Sequence, residues 1–119
     1  MNPVTGLALG RLAIGATSVA TPDLAAKLFR LDCANNPQLS YLLRLFGGRE
    51  ILIGALTLAA GGSARRALVL GGVAVDAVDV LAAAVAGREG VVSKPTSALL
   101  MAPAAAAVVA GGFGLRPRT

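Results

Sequence analysis

Four long apolar segments, separated by short polar stretches, constrain the fold of this chain more than any other feature. They cover about residues 3–20, 38–60, 66–86 and 97–115. A helix of about 20 residues crosses a bilayer, and a helix satisfies its own backbone hydrogen bonds there. The second segment reaches that length only with its polar half. We predict an all-α fold, a polytopic membrane four-helix bundle in which residues 1–119 form a single transmembrane domain.

The composition agrees with a membrane environment. Apolar residues make up 55% of the chain and charged residues 14%, against about 25% charged residues in an average soluble domain. The apolar residues are mostly small or aliphatic, with three Phe, one Tyr and no Trp. Small side chains let helices pack closely in lipid.

The composition also excludes several function classes. The net charge is +5, but the basic residues form no stripe and few aromatic residues accompany them, so we predict no nucleic-acid partner. One Cys and no His leave no internal disulfide, no Cys/His metal site and no His-ligated haem. We predict no metal and no cofactor.

Local signals place the ends of the helices. Pro3 suits a first helical turn, and residues 21–23 (Thr-Pro-Asp) stop the first helix near Ala20. Arg11 interrupts the apolar run that a cleaved signal peptide needs, so we expect a retained helix. Residues 22–34 predict a short amphipathic helix lying along the interface.

Capping signals predict where the second and fourth spans begin. Asn36 reads as an N-cap followed by a first-turn proline, Pro37, which opens the second span. Thr96 or Ser97 is predicted to cap the fourth. Pro103 and the glycines near residue 112 predict a kink or a frayed end in that helix.

Basic residues outside the spans are predicted to contact lipid headgroups. They are Lys27, Arg30, Arg65, Arg66, Arg116 and Arg118. The four arginines from Arg65 onward lie on the side of the termini. Lys27 and Arg30 lie on the other side together with Arg88 and Lys94, so both sides have four basic residues and the positive-inside rule does not decide the orientation. The double-Arg ends favour a multi-pass protein of the cell membrane with both termini cytoplasmic.

Ionisable residues inside the apolar segments are the candidate functional site. They are Arg11, Arg49, Glu50, Asp76 and Asp79. One such charge at the centre of a membrane helix costs about 2.5–3.5 kcal/mol, so each needs a partner. The structural interpretation is that the two Arg side chains bridge the three acids and fix the bundle. The functional interpretation is a site for a cation, a proton or a polar head, favoured by the excess acid.

Signals for an enzyme are nearly absent. Asp76 and Asp79 share a helix face, and superficially resemble the double-Asp motif of alcohol phosphotransferases. The glycine and the second aspartate pair of that motif are missing. Without a His or a nucleophile motif, we predict no catalytic residue and no enzymatic activity.

Three short motifs resemble an uncharacterised family of small four-helix membrane proteins of actinobacteria, a domain of unknown function. They are residues 11–15 (Arg-Leu-Ala-Ile-Gly), 45–50 (Leu-Phe-Gly-Gly-Arg-Glu) and 75–79 (Val-Asp-Ala-Val-Asp). That family carries a Phe-Gly-x-Arg-Asp/Glu step and a helix with two aspartates. The resemblance implies the fold and the polar cluster, and it implies no activity.

Three functions are compatible with these features. We expect an accessory or structural subunit that acts with membrane lipids, in a homo-oligomer or a larger membrane complex. One alternative is a small oligomeric transporter or channel that uses the intramembrane carboxylates. The other is a lipid- or quinone-binding protein with an interhelical cleft, which larger residues at Gly15 or Gly72 are predicted to block.

Overall fold

The structure, a computed structural model, describes residues 2–116, and within that range it contains five helices and no strand. The helices are α1 (Pro3–Ala20), α2 (Pro22–Leu28), α3 (Gln38–Ala59), α4 (Gly62–Arg88) and α5 (Lys94–Gly114). The predicted all-α class is confirmed. Helices α1, α4 and α5 are each long and apolar enough to cross a membrane.

Helix α3 differs from these three in its charge. It has 22 residues, which is long enough, but every stretch of 18 residues within it includes Arg44, Arg49 and Glu50. Length and composition therefore support three membrane-spanning helices. A fourth span at α3, and with it a four-helix bundle in the membrane, stays a prediction.

The first two helices begin at prolines. The Asn2 side chain accepts the backbone N–H of Val4 at 2.8 Å, and Pro3 occupies the first turn of α1. Pro22 begins α2, which ends at Leu28. Arg30 has a φ of 58°, a left-handed conformation that a right-handed helix cannot continue. The amphipathic helix is therefore shorter than the predicted residues 22–34.

The loop before α3 corrects the predicted N-cap. The Asn36 side chain donates to the carbonyl of Asp32 at 2.7 Å, and Pro37 occupies the cap position without a side-chain hydrogen bond. The Asp32 carboxylate accepts the side-chain amide of Asn35 at 2.6 Å and its backbone N–H at 3.1 Å. These hydrogen bonds lower the pKa of Asp32. Asn36 thus stabilises the loop and leaves the helix start uncapped.

Helix α5 begins earlier than predicted. The Ser93 hydroxyl accepts the backbone N–H of Thr96 at 3.2 Å, so Ser93 is the N-cap in place of Thr96 or Ser97. Ser97 instead donates to the carbonyl of Ala83 in α4 at 2.8 Å. Pro103 lies inside α5, which continues as helix to Gly114.

The four long helices pack as two antiparallel pairs. Helix α1 lies along α3, and α4 lies along α5, whereas fewer contacts join one pair to the other. A Cβ atom added at Gly15 would lie 2.7 Å from the carbonyl oxygen of Gly47, and one added at Gly47 would lie 2.6 Å from that of Gly15. The α1–α3 pair is therefore held by direct backbone contact, which only glycine permits.

Side-chain polarity is inverted relative to a soluble protein. Large apolar side chains such as Leu52, Leu70 and Leu81 are 60–65% exposed. The buried residues are mostly small or polar, and Arg11 and Ser18 are among them. An apolar outer surface around a polar interior suits a lipid environment, because lipid is the solvent that such a surface requires.

Candidate functional site

The guanidinium of Arg11 lies at the centre of the described charges. Its Nη1 donates to Glu50 Oε2 at 2.8 Å and to Asp76 Oδ1 at 3.1 Å, while Nη2 donates to Asp76 Oδ2 at 2.5 Å. All three residues are only 3–4% exposed. A bidentate guanidinium–carboxylate contact combines charge with fixed geometry. One side chain therefore joins α1, α3 and α4, and we call Arg11, Glu50 and Asp76 the inner cluster.

A glycine makes room for this cluster. Gly72 lies one helical turn before Asp76 on the same face of α4, and a Cβ atom there would lie 2.7 Å from Arg11 Nη2. The missing side chain lets the guanidinium approach α4. The spacing of Gly72 and Asp76 puts both on one helix face, but the sequence holds no signal that an arginine from another helix packs there.

The other two predicted residues form a second contact nearer the surface. Arg49 Nη2 donates to Asp79 Oδ2 at 3.0 Å, with side chains that are 43% and 30% exposed. The Arg49 guanidinium also lies 5.6 Å from the centre of the Phe46 ring, within the range of a cation–π contact. We call Arg49 and Asp79 the outer pair. The structure thus brings all five predicted residues together in two layers.

One oxygen of the inner cluster has no hydrogen bond. Glu50 Oε1 is buried and accepts none from any residue that the structure describes. Arg49 Nη2 is 3.8 Å away, beyond hydrogen-bond distance. Three carboxylates share two guanidinium groups, so the site carries one more acid than base.

The three carboxylates also meet the geometric requirement for a cation. Ligand oxygens of Glu50, Asp76 and Asp79 lie within 4.8 Å of one another. Both oxygens of Asp76 are already bound by Arg11, however, and Arg49 binds Asp79. A divalent metal ion placed among them would lie next to two guanidinium groups and would turn a net charge of −1 into +1, and this excess positive charge makes the cluster a poor site for a divalent metal.

A cleft of about 670 Å³ opens beside the charges, between the α1–α3 pair and the α4–α5 pair. Its walls are mostly apolar, with Gly10 from α1 and Ala104 and Ala107 from α5 among them. The charged residues that line it are those of the inner cluster and Asp79. Its size lies within the usual range of small-molecule sites, which are apolar with a few convergent polar groups.

The cleft does not pass the two glycines named from the sequence. Gly15 contacts the backbone of Gly47, and Gly72 contacts the side chain of Arg11. Neither lines the cleft, so a larger residue at either position would not enter it directly. At Gly10 an added Cβ atom meets nothing within 4 Å, and this is the position from which a side chain would enter the cleft.

Three of the predicted headgroup residues line a second cavity, which lies between the start of α1, the start of α4 and the end of α5. They are Arg65, Arg66 and Arg116. Arg65 Nε donates to the carbonyl of Thr57 at 3.0 Å, and Arg66 Nη1 donates to the carbonyl of Leu115 at 3.0 Å. These two side chains thus satisfy backbone carbonyls near the ends of α3 and α5.

The other three predicted headgroup residues are divided between the opposite end of the molecule and the C-terminus. Lys27 and Arg30 are exposed on and just after α2. The carbonyl of Arg30 accepts the Thr96 hydroxyl at 3.0 Å, which places this segment beside the start of α5. Arg118 lies outside the described residues. Contact of these side chains with lipid headgroups stays a prediction.

Comparisons with known proteins complete the description of the site. No protein-family model matches the chain, and no curated protein or solved structure matches it either. The resemblance to the actinobacterial family therefore stays a prediction, and the function has to be inferred from the cleft and the charges themselves.

Proposed function

We propose that this chain is a polytopic membrane protein that binds an amphiphilic, lipid-soluble molecule in the cleft between its helix pairs. The observation that carries the proposal is the distribution of polarity in the cleft. Its volume of about 670 Å³ is walled by apolar side chains, both small and large, and the charged groups lie together at Arg11, Glu50, Asp76 and Asp79. An apolar body with one polar head matches that distribution.

The proposal includes α3 as a fourth span. Helix α3 packs along α1, with close approaches at both Gly47 and Gly54. Because α1 is apolar enough to span, a helix packed along it in this way lies at the same depth. The charge that makes α3 unusual is compensated there, since Glu50 binds Arg11. These contacts support a four-helix bundle.

In this proposal the inner cluster holds the cleft in shape. The two helix pairs share few contacts, and Arg11 and Gly72 lie where they meet. The cluster thus fixes the bundle, as the structural interpretation of the sequence holds, while the cleft binds the ligand. An accessory role in a homo-oligomer or larger complex and a transport role stay predictions.

Native mass spectrometry of protein purified in a gentle detergent tests the proposal. The wild type should retain a small lipid-soluble molecule. Gly10→Leu should lose it because the new side chain fills the cleft, and Gly48→Leu is the matched control. As at Gly10, a Cβ atom added at Gly48 meets nothing within 4 Å, but Gly48 does not line the cleft. Equal retention by all three proteins, or no retained molecule, would contradict ligand binding; a larger protein partner would support the accessory role.

A further inference from the structure

The excess acid of the site indicates the chemistry of the ligand's head. Among the described residues, Glu50 Oε1 is the one buried side-chain oxygen or nitrogen atom that lacks a hydrogen-bond partner. Glu50 is 4% exposed, and it lines the cleft. A buried acceptor without a donor is costly, and in native proteins such a group is satisfied by another protein group, by an ordered water molecule or by a bound ligand.

We propose that the cleft takes a cationic amphiphile, a lipophilic molecule whose head is a protonated amine, and that this head binds between Glu50 and Asp79. The inference rests on the proposed function and adds the charge of the ligand. An ammonium group has three donors and no acceptor, which suits a site that offers carboxylate oxygens.

The charge balance of the site favours a cation over other heads. With all groups ionised, three carboxylates against two guanidinium groups leave one negative charge. One monovalent cation neutralises it. A neutral hydroxyl group would donate a hydrogen bond but leave the charge uncompensated in a low-dielectric site, and an anionic head would be repelled.

The two layers of the site suit the entry of such a head. Asp79 lines the cleft, and its side chain is 30% exposed, while its partner Arg49 is 43% exposed. A head that enters there meets Asp79 first and lies near Glu50, because the carboxylate oxygens of the two are within 4.8 Å of each other. Arg11 and Asp76 keep their contacts, since both are paired deeper in the bundle.

The test compares two probes that share a chain and differ in the head, dodecylamine and dodecanol. Purified protein in detergent is titrated with each, and the bound fraction is measured by native mass spectrometry. The wild type should bind the amine about tenfold more tightly than the alcohol, as one charge-assisted hydrogen bond predicts. Glu50→Gln should bind the two probes about equally, because it removes the charge and keeps the side-chain shape.

Two further variants keep the result interpretable. Glu89→Gln removes an exposed acid at the end of α4, away from the cleft, and should keep the preference for the amine. If Glu50→Gln loses its helical circular dichroism, Asp79→Asn replaces it, since this outer side chain is partly exposed; it should also lose most of the preference.

The outcomes separate the two proposals. Equal binding of both probes by the wild type, or a preference that persists in the folded Glu50 and Asp79 variants, would overturn the cationic head and leave ligand binding in the cleft intact. If neither probe binds at all, both the cationic head and the proposed function are contradicted.

Discussion

The inner cluster and the outer pair use the same chemistry in different surroundings. In both, an arginine of the α1–α3 pair binds an aspartate of α4, at distances of 2.5 Å and 3.0 Å. Arg11 is 4% exposed, whereas the Arg49 side chain is 43% exposed. A buried charge that loses its partner costs several kcal/mol, and an exposed one costs little. Burial therefore makes the inner cluster a structural element and leaves the outer pair free to rearrange.

Two adjacent residues of α3 contribute one side chain to each layer. Arg49 and Glu50 are consecutive, so their side chains diverge by about 100° around the helix. Glu50 points to Arg11 in the interior, and Arg49 remains at the edge beside Phe46. Single substitutions that act on one layer at a time therefore test whether burial makes the layers different.

The largest effect is expected from replacing the two arginines in turn. Arg11→Gln leaves Glu50 and Asp76 buried without their partner and should lower the free energy of unfolding by about 3–5 kcal/mol. Arg49→Gln should lower it by less than about 1 kcal/mol because the outer pair is partly exposed. Unfolding by a denaturing detergent, followed by circular dichroism, measures both. Similar losses for the two variants would mean that burial does not distinguish the layers.

A smaller effect is expected from the backbone contact that positions both arginines. In Gly47→Ala the new Cβ atom would lie 2.6 Å from the carbonyl of Gly15, which forces α1 and α3 apart and should cost about 1–3 kcal/mol. Gly48→Ala is the control, because a Cβ atom there meets nothing within 4 Å, and it should be neutral or stabilise α3 slightly. If the two alanines behave alike in the same unfolding assay, the helices do not approach this closely.

A substitution at Gly72 acts on the inner cluster alone, and its effect should be similar to that of Gly47→Ala or smaller. Gly72→Ala places a Cβ atom 2.7 Å from Arg11 Nη2, and the guanidinium must shift away from Asp76. We expect a loss of about 1–2 kcal/mol, since a side chain yields more easily than backbone. Gly71→Ala, where the space is open, should not destabilise. The effect of Gly72→Ala should disappear in an Arg11→Gln background, and an unchanged effect there would exclude Arg11 as the cause.

The smallest effect is expected at Asp23, a carboxylate in the short helix α2, outside both layers. The Cys33 thiol donates to Asp23 Oδ1 at 3.3 Å, and this contact raises the pKa of Cys33. A raised pKa means less thiolate at a given pH, so Cys33 should react slowly with iodoacetamide near pH 8. Asp23→Asn should speed the reaction. A rate that is unchanged in this variant would show that the contact does not control the thiol.

Much of the framework follows from local signals in the sequence. Pro3 and Pro22 set the start of α1 and of α2, because proline restricts the backbone wherever it occurs. The cost of charge in an apolar segment singled out the five residues that the structure brings together. These inferences need only the chain itself and the properties of the bilayer.

The arrangement of partners could not be derived in this way. The sequence allowed either arginine to bridge the acids, and the choice of Arg11 as the centre depends on how far each helix is rotated. The need for a glycine at position 72 is apparent only from the packing of Arg11 of α1 against it. The cleft depends on how the two helix pairs diverge, and the sequence carries no signal for that.

The order of synthesis gives the position of Arg11 a further consequence. Its partners Glu50 and Asp76 follow it by 39 and 65 residues, and at about 5–20 residues per second the first arrives roughly 2–8 s after Arg11 has been made. In the proposed four-helix bundle, α1 carries an uncompensated charge during that interval. We therefore expect α1 to stay beside the insertion channel until α3 emerges, so that the α1–α3 pair forms before α4 is inserted.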